Sequence, residues 1–452
     1  MGDQIQTKRE NQKKPSVRML AYQTILRVKT GGAYSNVLVS QVINRYIPDE
    51  RDRGFYTELV YGTLENLIFL DYVIQKFIKT KLDKLEPARR IILEMGLYQI
   101  RYMDSVEDFA AVFEMVELMK KIEPKTKAYS FINGVLRSVL RDKKAFEIDV
   151  KDPVKRLSVR YCVSTWIATT LVQQYGHRKA ESILESLQKH PTMFLRVNPL
   201  KTSTEDLKKE LEVKGVACDE VKGFPSMLKV SRLKSIEKNE EYLKGLYTVQ
   251  DLSSQVCIKA LGVKEADRVL DVCAAPGGKT TAIGEELKNS GEIVSSDAAS
   301  NKLDLIRRAA KRLGIENVTV RAHDATVYEE QWDQAFDKVL VDAPCSGIGI
   351  IRRKPEIRYK SKQDFRMITT LQGKILKQSS RYVKVGGVLI YSTCTLNREE
   401  NQEVVKEFLK KNKDFTLEEF EVEGLNMRAT MAELLPDEGE WDGFFVAKMR
   451  RN

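Results

Sequence analysis

Cysteine and histidine are scarce in this chain, six of one and three of the other in 452 residues. The cysteines (Cys162, Cys218, Cys257, Cys273, Cys345 and Cys394) form no Cys-x-x-Cys pair and meet no His-x-x-x-His partner. That spacing argues against a metal site and a disulfide framework, and three histidines leave little from which to build a histidine-based triad. Reduced thiols and a cytoplasmic setting are the expectation. No apolar run approaches the ~20 residues that span a bilayer, so no membrane partner is expected. The first residues, Met1-Gly-Asp-Gln-Ile-Gln-Thr-Lys-Arg-Glu10, lack the apolar stretch of a secretory leader, and Gln6 stands where a myristoylation signal wants Ser or Thr. Acidic residues are outnumbered by basic ones, 64 to 75, for a net charge of +11. Such a balance favours a polyanionic partner, because each phosphate neutralised releases counterions.

The length exceeds one ordinary core, so two or three domains are expected. Residues 1–14 are polar and read as a disordered tail. Residues 15–144 carry helical periodicity, with Leu59, Val60, Leu64 and Ile68 on one face and breaks at Gly31-Gly32, Pro48-Asp49 and Glu123-Pro124. Residues 145–245 are mixed: helices over 166–175, 180–187 and 206–213, and a strand at Phe194-Leu-Arg-Val-Asn198. From 246 to 452 strand candidates (268–272, 292–296, 318–322, 338–342, 387–392) alternate with helical stretches, the pattern of a doubly wound parallel sheet, and the end resembles a β-hairpin. The fold class is multidomain: an all-α N-terminal domain, a small α/β linker domain and a C-terminal Rossmann-like α/β domain.

Chemistry concentrates in the last of these. Val269-Leu-Asp-Val272 is a short buried-strand run that ends in Cys273-Ala-Ala-Pro-Gly-Gly-Lys279, where Gly277 and Gly278 allow close backbone approach and a helix follows. The loop is neither a phosphate-binding G-x-x-x-x-G-K-[ST] nor G-x-G-x-x-G. Asp297 ends the next strand, where a carboxylate can accept both hydroxyls of a ribose, and Asp324 follows the third, within reach of an adenine amino group. His323 reads as a loop histidine. Asp342-Ala-Pro-Cys-Ser-Gly347 and Tyr391-Ser-Thr-Cys-Thr395 place two thiols at further strand ends, while Cys162, Cys218 and Cys257 read as small buried hydrophobes. A thiol can add to C6 of a pyrimidine and make C5 nucleophilic. Arg352, Arg353, Lys354 and Arg358 follow the Pro-Cys loop and could grip phosphates that flank a target base.

These motifs resemble those of S-adenosylmethionine-dependent RNA cytosine-C5 methyltransferases. With the helical N-terminal domain, which is similar to the antitermination factor NusB, they resemble the RsmB (Sun/Fmu) family over nearly the whole chain. The resemblance implies an RNA-binding NusB-like domain at 15–144, a mixed RNA-binding subdomain at 145–245 and a methyltransferase domain at 246–452. It implies that Cys273, Ala274, Ala275, Pro276, Gly277, Gly278, Lys279, Asp297, Asp324 and Asp342 contact S-adenosylmethionine or line its site. By the same resemblance Cys394 is the nucleophile, Cys345 serves elimination and release, and the product is 5-methylcytidine in 16S rRNA, unassembled or partly assembled. Asp342, if protonated, could hydrogen-bond the cytosine N3. The spacing alone does not decide between the thiols, since DNA cytosine-C5 methyltransferases use the cysteine of Pro-Cys. A monomer without metal is expected.

Three further readings compete. An amino methyltransferase would show Asn/Asp-Pro-Pro-aromatic where this chain has Asp342-Ala-Pro-Cys345. The same chemistry could act on tRNA or 23S rRNA. A non-catalytic NusB-like adaptor would need no intact donor loop.

Overall fold

The computed structural model describes residues 15–31, 35–233 and 236–452; the 1–14 tail and the Gly32 break lie outside them. The chain divides into two compact units. The first runs through Ala168 and takes in Lys354–Lys360; the second holds Thr169–Arg353 and Ser361–Asn452.

The first unit is helical: α1 (Val17–Gly31), α2 (Ser35–Tyr46), α3 (Glu50–Phe77), α4 (Pro87–Tyr102), α5 (Asp108–Ile122), α6 (Ala128–Arg141) and α7 (Pro153–Arg160). Its breaks have local causes. Asp49 caps α3 through its side chain, which accepts from the Arg51 and Asp52 amides, and Pro87 opens α4. Ile25, Leu59, Leu70, Ile92, Met95, Met115 and Leu136 form one core. The helical unit does not stop at residue 144 as the sequence suggested: α7 and Cys162 belong to it, because Cys162 packs into the same core.

The second unit begins within α8 (Thr165–Ser186), whose helical geometry is interrupted at Gly176 with φ 76°, in line with the two helices expected there. A four-stranded antiparallel sheet follows in the order β2-β3-β1-β4, from β1 (Met193–Val197), β2 (Ala217–Val221), β3 (Phe224–Ser231) and β4 (Tyr247–Val249), with α9 (Thr204–Val213) packed on β2 and β3. The short α10 (Glu240–Lys244) leads into β4. That strand falls beyond the expected boundary at 245, because it completes this sheet by pairing with β1.

The remaining strands are β5 (Arg268–Asp271), β6 (Glu292–Asp297), β7 (Val318–Ala322), β8 (Phe336–Asp342), β9 (Val383–Thr393), β10 (Phe415–Leu417), β11 (Phe420–Val422), β12 (Met427–Ala429), β13 (Met431–Leu434) and β14 (Phe444–Arg451). The large sheet runs β10-β14-β9-β8-β5-β6-β7, with β13 paired to β14 and β5 to β9 mutually parallel. Side chains alternate between two cores. Val269, Ile293, Leu340 and Ile390 meet α11 (Leu252–Leu261), α12 (Gly278–Glu286) and α13 (Leu303–Leu313) on one face; Leu270, Val294, Val341 and Leu389 meet α14 (Ile368–Ser380) and α15 (Gln402–Lys411) on the other. The strand order reverses between β5 and β8, so a crevice is left at their C-terminal ends, where ligands of open α/β sheets bind. No helix among the described residues is long and apolar enough to cross a membrane.

Candidate active site

The loop from Cys273 to Lys279 leaves β5 and turns into α12 through Gly277. Gly277 has φ 102°, and a Cβ there would lie 3.1 Å from the Ile306 Cα, so glycine is required. Asp297, at the end of β6, closes the neighbouring edge: Oδ2 accepts from the Ala275 amide at 3.2 Å and Oδ1 from the Ala299 amide at 2.9 Å. Asp324 is exposed after β7; the Thr326 amide and hydroxyl donate to it at 2.9 and 2.8 Å and hold its carboxyl below the usual range. An anionic rim on two adjacent strand ends suits the hydroxyl and amino donors of an adenosine, and the half-buried loop backbone stands beside it. These residues fit a nucleoside-bearing methyl donor.

Beneath the loop lies a carboxylate that sequence reading passed over. Asp271 is fully buried; Oδ2 accepts from the Thr280 hydroxyl at 2.7 Å, while Oδ1 is without a partner among the described atoms. Burial raises its carboxyl to about 7. Cys273, in the same loop, is driven well above the thiol range by burial, in keeping with a backbone role.

Asp342 ends β8 and accepts on both oxygens: from Lys279 Nζ at 2.7 Å and from the Ser392 hydroxyl at 2.9 Å, which itself receives Cys257 Sγ at 3.6 Å. Burial opposes the charge on Lys279, yet the Asp342 carboxylate more than offsets it and raises the ammonium above its usual range. Both oxygens of Asp342 are thus engaged by donors of this chain. Cys257 is buried as expected, but it joins this chain rather than serving as packing alone.

Cys345 and Cys394, from the loops after β8 and β9, meet with Sγ atoms 3.2 Å apart and are not joined by a disulfide. Contact with Cys394, burial, and the charges of Glu400 and Asp342 push the Cys345 thiol well above the usual range.

The basic segment behaves otherwise than expected. Arg352 Nε donates to Asp442 at 2.7 Å, and Arg353 pairs with Asp442 and, at 2.9 Å, with Asp251. Arg358, 2% exposed, donates to the Tyr161 carbonyl at 3.2 Å within the helical unit, and Lys354 also falls in that unit. Arg352, Arg353 and Arg358, proposed for phosphate, are thus held by partners within the protein that lie far from them in sequence. Their counterparts lie in motifs that carried no role in the sequence: Asp251 in Val249-Gln-Asp-Leu252, which also caps α11 through the Ser253 amide, and Asp442 in Asp442-Gly-Phe-Phe445.

Arg196, in Phe194-Leu-Arg-Val-Asn198, is the other residue missed. At 2% exposure its guanidinium forks onto Glu285 at 2.7 and 3.0 Å and donates to Gln250 Oε1, the Gly278 carbonyl and Thr281 Oγ1 at 2.6, 2.8 and 2.9 Å. It thereby anchors the first turn of α12, and with it the donor loop, to β1.

Doubly wound topology, a glycine-bearing loop at the switch point and acidic strand ends define a Rossmann-like methyltransferase domain. Residues 258–450 match the model described as 16S rRNA methyltransferase RsmB/F, 15–141 match the NusB family, and 163–237 match the ferredoxin-like domain of RsmF/B-like methyltransferases. The "Probable ribosomal RNA small subunit methyltransferase B" of Bacillus subtilis is 38% identical over 97% of this chain and 99% of its own, and the "Ribosomal RNA small subunit methyltransferase B" of Escherichia fergusonii is 32% identical over 97% and 99%. The crystal structure of a methyltransferase homolog protein from Pyrococcus horikoshii aligns with TM-score 0.58 and 32% identity over 67% of this chain and all (100%) of its own. The chain belongs to the RsmB/F methyltransferase family, with a NusB domain at its N-terminal end.

Proposed function

We propose that this protein transfers a methyl group from S-adenosylmethionine to C5 of a cytosine in 16S rRNA, in the cytoplasm. The observation that carries the reading is the thiol pair at 3.2 Å beside a donor loop, on a chain whose relatives are named for the small-subunit RNA. When bound, S-adenosylmethionine supplies an electrophilic methyl group on a sulfonium centre.

The residues of this chain account for the rest. Cytosine C5 is a poor nucleophile; addition of the Cys394 thiolate to C6 gives C5 enamine character and divides a hard step into easier ones. Asp342, which accepts from Lys279 and Ser392 at the end of β8, orients the ring and stabilises the charge that develops on it during the addition. After methylation C5 carries both a methyl group and a proton. Loss of that proton and expulsion of Cys394 restore the ring, the step in which Cys345 takes part. Bases stacked in a duplex are out of reach, so the target is single-stranded or flipped out.

The test is transfer of label from S-adenosylmethionine into undermethylated 16S rRNA, followed by nucleoside analysis. Label in 5-methylcytidine at one site is the expected result; label confined to tRNA or 23S rRNA keeps the chemistry and overturns the substrate.

A further inference from the structure

We propose that Glu400 is a positioning residue for the thiol pair: its buried carboxylate ties the Cys345 loop to the Cys394 loop and so sets the contact between the two sulfurs. The inference rests on the roles given to those thiols above.

Glu400 is 0% exposed, and its two oxygens face different strands of the site. Oε2 accepts from the Ser346 amide at 2.8 Å and from Gln372 Nε2 at 3.1 Å; the same Nε2 donates to the Pro344 carbonyl at 2.9 Å. The backbone on both sides of Cys345 is thereby fastened to one carboxylate. Oε1 accepts from Asn397 Nδ2 at 3.0 Å, on the chain that continues from Cys394. Glu400 is itself moored, since its carbonyl accepts from the Tyr391 hydroxyl at 2.7 Å and its amide donates to the Asn397 carbonyl at 3.0 Å. Around it the two loops are laced directly: Ser346 Oγ lies 2.7 Å from Thr395 Oγ1, and the Gly349 amide donates to the Cys394 carbonyl at 3.1 Å.

The residue type follows from the donor pattern. All three bonds to the side chain come from N–H groups, and they arrive at both oxygens. Glutamine could accept at one end only and would turn an NH2 group toward either the Ser346 amide or the amide nitrogen of Asn397. A buried carboxylate is costly unless its lone pairs are filled, and here they are filled from the two segments whose separation matters. In the proposed reaction the thiols act in succession on one base, so a small shift between them slows turnover without touching the donor loop.

The test uses the full-length protein and Glu400→Gln, with two readouts. Without RNA, diamide takes two protons and two electrons from the paired thiols, becoming a hydrazine and leaving a Cys345–Cys394 disulfide, scored by peptide mass. The wild type is expected to link readily and the variant roughly tenfold more slowly or worse. In methyl transfer, kcat is expected to fall by a similar factor while KM for RNA and the affinity for S-adenosylmethionine hold. A variant that links and turns over like the wild type overturns the proposal. Should Glu400→Gln fail to fold, Gln372→Leu removes two of the ties, and an unchanged linking rate there overturns it equally. A wild type that yields no 5-methylcytidine defeats the reaction assigned above, while the linking rates still report whether Glu400 sets the sulfur contact.

Discussion

At the scale of single residues, the carboxyl groups of the site differ in how many donors burial leaves them. Asp342 accepts from both Lys279 and Ser392, whereas Asp271 at the base of the same loop has one hydroxyl donor and is fully buried. Its carboxyl, raised from an ordinary value near 4 to about 7, binds a proton more readily in the folded state than in the unfolded one. The stability this lends is present at low pH and lost as pH rises through about 7. Asp271→Asn removes that dependence. The difference in melting temperature between variant and wild type should move in favour of the variant from pH 5 to pH 8, an effect on the order of 2.5 kcal/mol, since about two of the three pKa units fall in that window. Parallel thermal melts without donor decide it; a gap constant with pH refutes it.

The two thiols give opposite phenotypes. Cys394→Ala should abolish methyl transfer while equilibrium dialysis still shows donor binding. Cys345→Ala should accumulate a protein–RNA adduct that survives denaturing electrophoresis, because addition proceeds and release stalls. The residue types were legible in the sequence, since Pro-Cys and Thr-Cys stand at strand ends whatever the packing. Their 3.2 Å separation was not. Nor was Glu400, which looks in sequence like one more acidic residue opening a helix; only the convergence of Ser346, Gln372 and Asn397 upon it distinguishes it.

At the scale of elements, the donor loop depends on a strand of another sheet. Arg196 on β1 and Glu285 on α12 are both buried and form a bidentate pair. Arg196→Met strands the carboxylate and should lower the stability of the fold by about 3–5 kcal/mol in urea titrations. The double variant Arg196→Met with Glu285→Leu should recover part of that loss, whereas Arg196→Lys, lacking the planar fork, should not match the wild type. Donor affinity should fall in all three, because the Gly278 carbonyl loses its partner. Sequence periodicity placed β5 to β9 closely, because strands buried on both faces read as short apolar runs. It missed β4, three residues whose only signature is a partner in β1, and it could not show that β14 runs antiparallel beside β9. Register is a property of pairs, and no single segment carries it.

At the scale of the whole molecule, a net charge of +11 on a member of a ribosomal RNA methyltransferase family predicts a salt-sensitive encounter. Filter binding of 16S rRNA should weaken by a factor on the order of 10³ between about 50 and 200 mM salt, if about six phosphates are neutralised. A flat salt profile would count against an electrostatic footprint. Of the cations next to Cys345, three have partners within the protein. Arg352 and Arg353 are bound to Asp442 and Asp251, and Arg358 to the helical unit through Tyr161, so replacing them tests stability before it tests RNA contact.

The amino-acid sequence by itself determined the chemical inventory and the layer order: a helical unit, a small mixed α/β region, a doubly wound sheet, and thiols and carboxylates at successive strand ends. Each follows from periodicity, turn residues or short motifs, which are local. The tertiary structure decided which charges are free and which are spent on one another, where the helical unit ends, and how far apart two sulfurs stand. Those outcomes depend on distances between segments remote in sequence. They are fixed only when burial forces each polar group to find a partner.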